Sequence, residues 1–159
     1  MGKVQKIDNK REKIVKLATW NIRGLNEEGA LKKLVREIRK YSFDVVAIQE
    51  TKQKENQIIE IEDYIYFNSG DKSKIRGTGF IVHKKLKQHI LQFQAISDRM
   101  CCLRLKGRFQ KITLINVHAP TEKTDIEVKE EFYETLDKEY GKIKKYDLKI
   151  VLGDLNAKI

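Results

Sequence analysis

Asp44-Val-Val-Ala-Ile-Gln-Glu50 is the stretch that decides the fold. An unbroken apolar run that ends in a carboxylate fits a strand buried on both faces, as in a sheet covered on either side by other layers. Ahead of it, Leu31, Leu34, Val35 and Ile38 recur at helical spacing among lysines and arginines. Asn26 and the two glutamates after it suit a helix start, so the spacing predicts a helix over Glu27 to Lys40. Before that, a first strand is expected from Ile14 to Asn21. Strand, helix and buried strand in succession point to an α/β fold.

Downstream of Glu50 the rhythm shortens. After a polar stretch, apolar segments at Tyr64 to Phe67, Gly77 to His83, Ile90 to Ile96, Met100 to Leu105 and Lys111 to Val117 are separated by short turn clusters such as Lys106-Gly-Arg. These read as antiparallel strands. Val128, Phe132, Tyr133, Leu136 and Tyr140 then mark a second helix from Ile126 to about Ile143, and Lys149-Ile-Val-Leu-Gly-Asp154 reads as one more buried strand. A single proline and the lack of any Gly/Ser-rich stretch leave no linker, so one domain is expected over 14–159 behind a basic flexible leader over 1–13.

The balance of 33 Lys+Arg against 23 Asp+Glu, a formal charge of +10, favours polyanionic partners, DNA first among them, although a lysine-rich surface also serves solubility alone. Cys101 and Cys102 are neighbours on a strand and point to opposite faces, so no disulfide is expected between them. That pair, and a lysine-rich start without an apolar signal region, place the chain in the nucleus or cytoplasm rather than in secretion; no membrane span is expected.

The polar residues carry the functional signal. Asn21, Glu50 and Asp154, with Asn156 just beyond, follow the C-terminal ends of apolar strands, and His118 ends another. In layered α/β folds such ends converge on one mouth, where ligands bind. Carboxylates there are costly unless paired or bound to a cation, which suggests a metal.

Thr19-Trp-Asn-Ile-Arg-Gly-Leu25, Ile48-Gln-Glu-Thr-Lys52, Arg76-Gly-Thr-Gly-Phe80, Ile115-Asn-Val-His-Ala-Pro-Thr121 and Leu152-Gly-Asp-Leu-Asn156 together resemble the endonuclease/exonuclease/phosphatase superfamily. Within it they look most like the apurinic-type endonuclease domains of LINE-like retrotransposons and the craniofacial development protein 2-like group. The resemblance runs from about Leu17 to Asn156. It implies a layered α/β sandwich of the DNase I-like type and a Mg²⁺-dependent, DNA-nicking phosphodiesterase, with Mn²⁺ as an alternative cation. Glu50 would hold the metal with Asn21 beside it, and Asp154 would position or deprotonate the attacking water. Asn156 would donate to a phosphate oxygen. His118 stands where apurinic-type enzymes usually carry a tyrosine that contacts the phosphate, and an imidazole can also donate there. Arg99, Arg76 and Lys52 are the expected substrate contacts, with Lys84, Lys85 and Lys123 as further cations able to track phosphates.

The resemblance also implies a later aspartate and a terminal Asp-His pair, which the sequence to Ile159 does not contain. The domain is therefore expected to be present only in part, roughly the first sheet and a start on the second. Its inner face should then expose Val46, Ile48, Phe80, Val82, Leu114 and Val151, calling for the missing half or a self-association partner. Two other readings stay open: a phosphoesterase acting on lipid or inositol phosphates, and an inactive remnant that binds nucleic acid or protein.

Overall fold

The computed structural model describes residues 15–156; the expected leader lies outside them. In chain order the elements are β1 (Leu17–Asn21), α1 (Ala30–Tyr41), β2 (Val45–Gln49), β3 (Gln57–Ile61), β4 (Tyr64–Asn68), β5 (Thr78–His83), a 3-10 segment (Lys84–His89), β6 (Ile90–Ser97), β7 (Met100–Lys106), β8 (Lys111–His118), α2 (Ile126–Lys142) and β9 (Leu148–Asp154). Neither α-helix is long and apolar enough to cross a membrane.

The strands form two sheets, ordered β1-β2-β5-β4-β3 and β6-β7-β8-β9. Most neighbours are antiparallel, but each sheet has one parallel pair, β1 with β2 and β8 with β9. The period-2 alternation of β2 explains the layering. Val45 and Ala47 face inward and pack with Phe67, Phe80 and Val82 against Cys101, Leu103 and Leu114 of the second sheet. Val46 and Ile48 face outward, under Leu34, Val35 and Ile38 of α1. Burying each of those three helix side chains contributes roughly 1.5–3 kcal/mol. On the other side, Phe132 of α2 covers Met100, Ile115 and Val117. Cys101 and Cys102 are both free, one in the inter-sheet core and the other on the α2 side.

Three expectations need correction. Val46, Ile48, Phe80, Val82 and Leu114 are not an open face: each is at most 1% exposed. Both sheets are present and cover each other, and α1 covers the first from outside. Only Val151 is exposed, at 36%, because β9 is an edge strand rather than one flanked on both sides. The first helix starts at Ala30, since Gly29 sits at φ 77°, a left-handed conformation that cannot continue a helix. The polar stretch before Tyr64 contains β3, an edge strand whose Ile58 is 61% exposed.

Candidate active site

Parallel pairing brings like ends of strands together. In register, Asn21 lies opposite Gln49 across β1 and β2, and His118 lies opposite Asp154 across β8 and β9. The β1 and β9 edges meet, so the C-terminal ends of all four strands form one rim. A cleft of about 870 Å³ opens there, lined by residues including Trp20, Asn21, Lys123, Asp154 and Asn156.

The expected residues converge. Asn21 Nδ2 donates to Glu50 Oε1 at 3.0 Å and lies 3.5 Å from Asp154 Oδ2, so one amide ties carboxylates from the two sheets. Asp154 Oδ1 accepts the Asn156 backbone N–H at 3.0 Å. His118 Nε2 is 3.8 Å from Glu50 Oε1, while its buried Nδ1 has no hydrogen-bond partner among the described residues. Burial holds the His118 imidazole below its ordinary value; Glu50 and Asp154 pull it upward, and Arg99 and Arg76 push it down again. Asn156 Nδ2 donates to the Ala119 carbonyl at 2.5 Å, and its amide keeps a second N–H.

Of the expected substrate contacts, Arg99 donates through Nη1 to the His118 carbonyl at 3.2 Å, and Arg76 pairs with Asp98 at 3.3 Å. The backbone of Lys52 is tied to Arg76 by a 2.7 Å bond from Lys52 N–H to the Arg76 carbonyl, which keeps these loops at the rim. Lys84 and Lys85 do not belong to this group. They follow the C-terminal end of antiparallel β5 and so lie at the opposite end of the sandwich, against Glu60 and Asp44. His83 has a structural role there, its Nδ1 accepting the Lys85 N–H at 3.0 Å.

Four of the seven non-glycine residues at positive φ among the described residues lie at the rim, Arg23 (57°), Glu50 (56°), Lys52 (55°) and Asn156 (46°), the others being Ser42, Glu62 and Lys74. Such conformations cost of order 1 kcal/mol or more and persist where the surroundings fix them. Beneath the rim is a buried tie centred on Asn116, within the Ile115-Asn-Val-His motif. Asn116 Nδ2 donates to the carbonyls of Ile48 (2.9 Å) and Gly79 (2.7 Å), and its Oδ1 accepts from Gln49 Nε2 at 2.8 Å. The sequence signal was a lone amide inside the apolar run Ile115-Asn-Val.

The donor set constrains the metal. Among the described residues, no three His, Cys, Asp or Glu side chains cluster to hold an ion by themselves. What the rim offers instead is hard carboxylate and amide oxygens, the donor type that holds divalent cations with water completing the shell. Glu50 with Asp154 nearby fits that pattern.

A two-sheet sandwich with helices on its outer faces and a polar rim fed by Asn21, Glu50, His118 and Asp154 defines the class. The chain belongs to the endonuclease/exonuclease/phosphatase family, whose model matches residues 18–158. It is 30% identical over 144 residues to craniofacial development protein 2 of Bos taurus, covering 90% of this chain and 24% of that protein. The chain thus spans about a quarter of the length of that curated relative. Among solved structures, the catalytic domain of Xenopus laevis APE2 matches with TM-score 0.71 and 18% identity over 90% of this chain and 59% of that one. The endonuclease domain of TRAS1, a telomere-specific non-LTR retrotransposon, matches with TM-score 0.64 and 18% identity over 92% of this chain and 61% of that one. These structural matches establish a shared fold, so the expected DNase I-like sandwich stands.

Proposed function

We propose that the chain carries the front part of a Mg²⁺-dependent phosphodiesterase site that nicks DNA in the manner of retrotransposon endonucleases. The single observation behind this is the Asn21 amide held between Glu50 of one sheet and Asp154 of the other. Family membership makes phosphodiester hydrolysis the leading chemistry, and the charge of +10 favours a nucleic acid substrate over small phosphoesters.

Glu50, with Asn21 beside it, would hold Mg²⁺, or Mn²⁺ in its place. When bound, the cation supplies Lewis-acid polarisation of a phosphoryl oxygen. Asp154, steadied by the Asn156 N–H and Asn21, orients the attacking water and accepts its proton. His118, held mostly neutral by burial, offers an imidazole N–H to a non-bridging phosphate oxygen, and the second N–H of Asn156 offers another. Arg99, Arg76 and Lys52 supply positive charge on the approach to the rim. The Asp-His pair expected from the family resemblance would come from sequence outside this chain.

The test is conversion of supercoiled plasmid to nicked circles in Mg²⁺ or EDTA. It uses this chain, its Glu50→Gln variant, and the chain extended by its downstream reading frame. Cleavage that needs both Mg²⁺ and Glu50 is expected, strongest in the extended form. Cleavage that survives EDTA or Glu50→Gln would overturn the proposal. Metal-independent DNA binding with no cleavage in either form would favour the inactive remnant.

A further inference from the structure

At the end of the sandwich opposite the rim, two loops lie side by side. The β7–β8 hairpin closes at Lys106 and Lys111, and β9 starts beside it, with Leu148 in register with Ile112. The hairpin loop presents Phe109 at 90% exposure and the segment before β9 presents Tyr146 at 82%, the two most exposed large apolar or aromatic side chains among the described residues. Leaving a phenylalanine ring this far in water stabilises nothing in the fold. Both rings line one cleft of about 440 Å³, together with Lys106, Arg108, Lys111 and Lys144.

The charge there is mainly positive. Among the described residues Asp147 is the only carboxylate lining the cleft, and Arg104 engages both of its oxygens, at 2.8 and 2.9 Å. The Arg108 guanidinium lies 5.0 Å from the Phe109 ring centroid, and Lys145 Nζ lies 5.7 Å from that of Tyr146. Each protruding ring therefore has a cation beside it, an arrangement suited to a base stacked on the ring with its phosphate on the cation. Stacking of this kind requires unpaired bases, because a duplex buries its base faces.

We infer that this cleft is a binding site for single-stranded nucleic acid, separate from the rim and independent of the metal chemistry proposed there. Strand β8 connects the two places, and its eight residues from Lys111 to His118 put them roughly 24 Å apart. The stacking rings are Phe109 and Tyr146. Lys106, Arg108, Lys111, Lys144 and Lys145 take the phosphates.

The test is fluorescence anisotropy of labelled twelve-nucleotide oligo-dT and oligo-U with the full chain in EDTA, which silences any metal-dependent cleavage. Binding is expected with a log-log salt slope of about −3, as several phosphate contacts on a single strand require. Phe109→Leu/Tyr146→Leu should weaken it at least about thirtyfold, since each base-ring stack accounts for fivefold or more. Phe109→Trp/Tyr146→Trp should restore it, and all variants should keep the parental circular dichroism because both positions are exposed. Three results would overturn the inference. These are no oligonucleotide binding at low salt, affinity unchanged in the double-leucine variant, or an equal loss in that variant of binding to inorganic polyphosphate or phosphatidylserine vesicles, neither of which has bases to stack.

Discussion

Asp147→Asn should weaken the fold at neutral pH and matter progressively less as the solution is acidified. Asp147 accepts from Arg104 Nε (2.8 Å) and Nη2 (2.9 Å), and from the Thr113 hydroxyl (2.7 Å), and its side chain is only 4% exposed. The Arg104 bonds, helped by Thr113, hold its carboxyl down from 3.8 to about 2. A carboxyl lowered by folding contributes stability that is present in full above its unfolded value and is lost as pH falls through its folded value. Here that window runs from near 4 down to near 2. Discounted for solvent screening of the pair, the shift corresponds to about 1–2 kcal/mol at pH 7 and to about half of that at pH 3. Urea denaturation of the parent and Asp147→Asn should therefore differ by about 1–2 kcal/mol at pH 7, or about 2–8 °C in melting temperature, with the gap about halved at pH 3. A gap that stays constant between pH 7 and pH 3 would show that the asparagine loses packing rather than charge. The consequence reaches the rim, because Asp147 anchors the chain immediately before β9, whose far end is Asp154.

Glu50→Gln should raise the dissociation constant for Mn²⁺, read by water-proton relaxation, by more than about tenfold while leaving the melting temperature near the parental value. His118→Phe should lower the turnover of metal-dependent nicking about ten- to a hundredfold with little change in KM, because its N–H is asked to stabilise charge that develops in the transition state; an unchanged kcat would reject its role. Gly153→Ala should destabilise strongly, by roughly 3 kcal/mol or more in urea, since a Cβ there would stand 2.1 Å from the Val117 carbonyl oxygen at a φ of +130°. Asn116→Leu should cost on the order of 3 kcal/mol in the same assay by removing three buried hydrogen bonds that join the two sheets.

How much of this was legible depended on whether burial left a mark on the chain. Val45 to Gln49 is wholly buried, and its unbroken apolar run announced it. β3 lies at a sheet edge with Ile58, Ile59 and Glu60 all exposed, so Gln-Ile-Ile-Glu-Ile carried no clear alternation. The start of α1 hung on the left-handed backbone of Gly29, which overrode the capping signal of Asn26. The expected open face failed for a different reason. Period-2 patterning says that Phe80 and Leu114 need a cover, but not that each covers the other across the sandwich. Strand polarity decided the site. Glu50, Asp154 and His118 lie together because each ends or directly follows a strand of a parallel pair, whereas Lys84 lies at the opposite end because β5 runs antiparallel to β2.

That same polarity makes the geometry of the rim a property of the sandwich rather than of any one loop. Asn21 and Glu50 belong to the first sheet, and His118 and Asp154 to the second, so the distances among them vary with the relative position of the two sheets. Apolar packing between sheets resists separation but resists sliding poorly, because one methyl group replaces another at little cost. Hydrogen bonds with fixed direction do resist it. Asn116, two residues before His118, bonds to the carbonyl of Ile48, two residues before Glu50, and to Gln49 between them. A slide of even 1 Å would stretch three buried bonds at once, each unable to find water in exchange. The lone amide inside the apolar run of β8 thus locks the sheets in register just below the carboxylates.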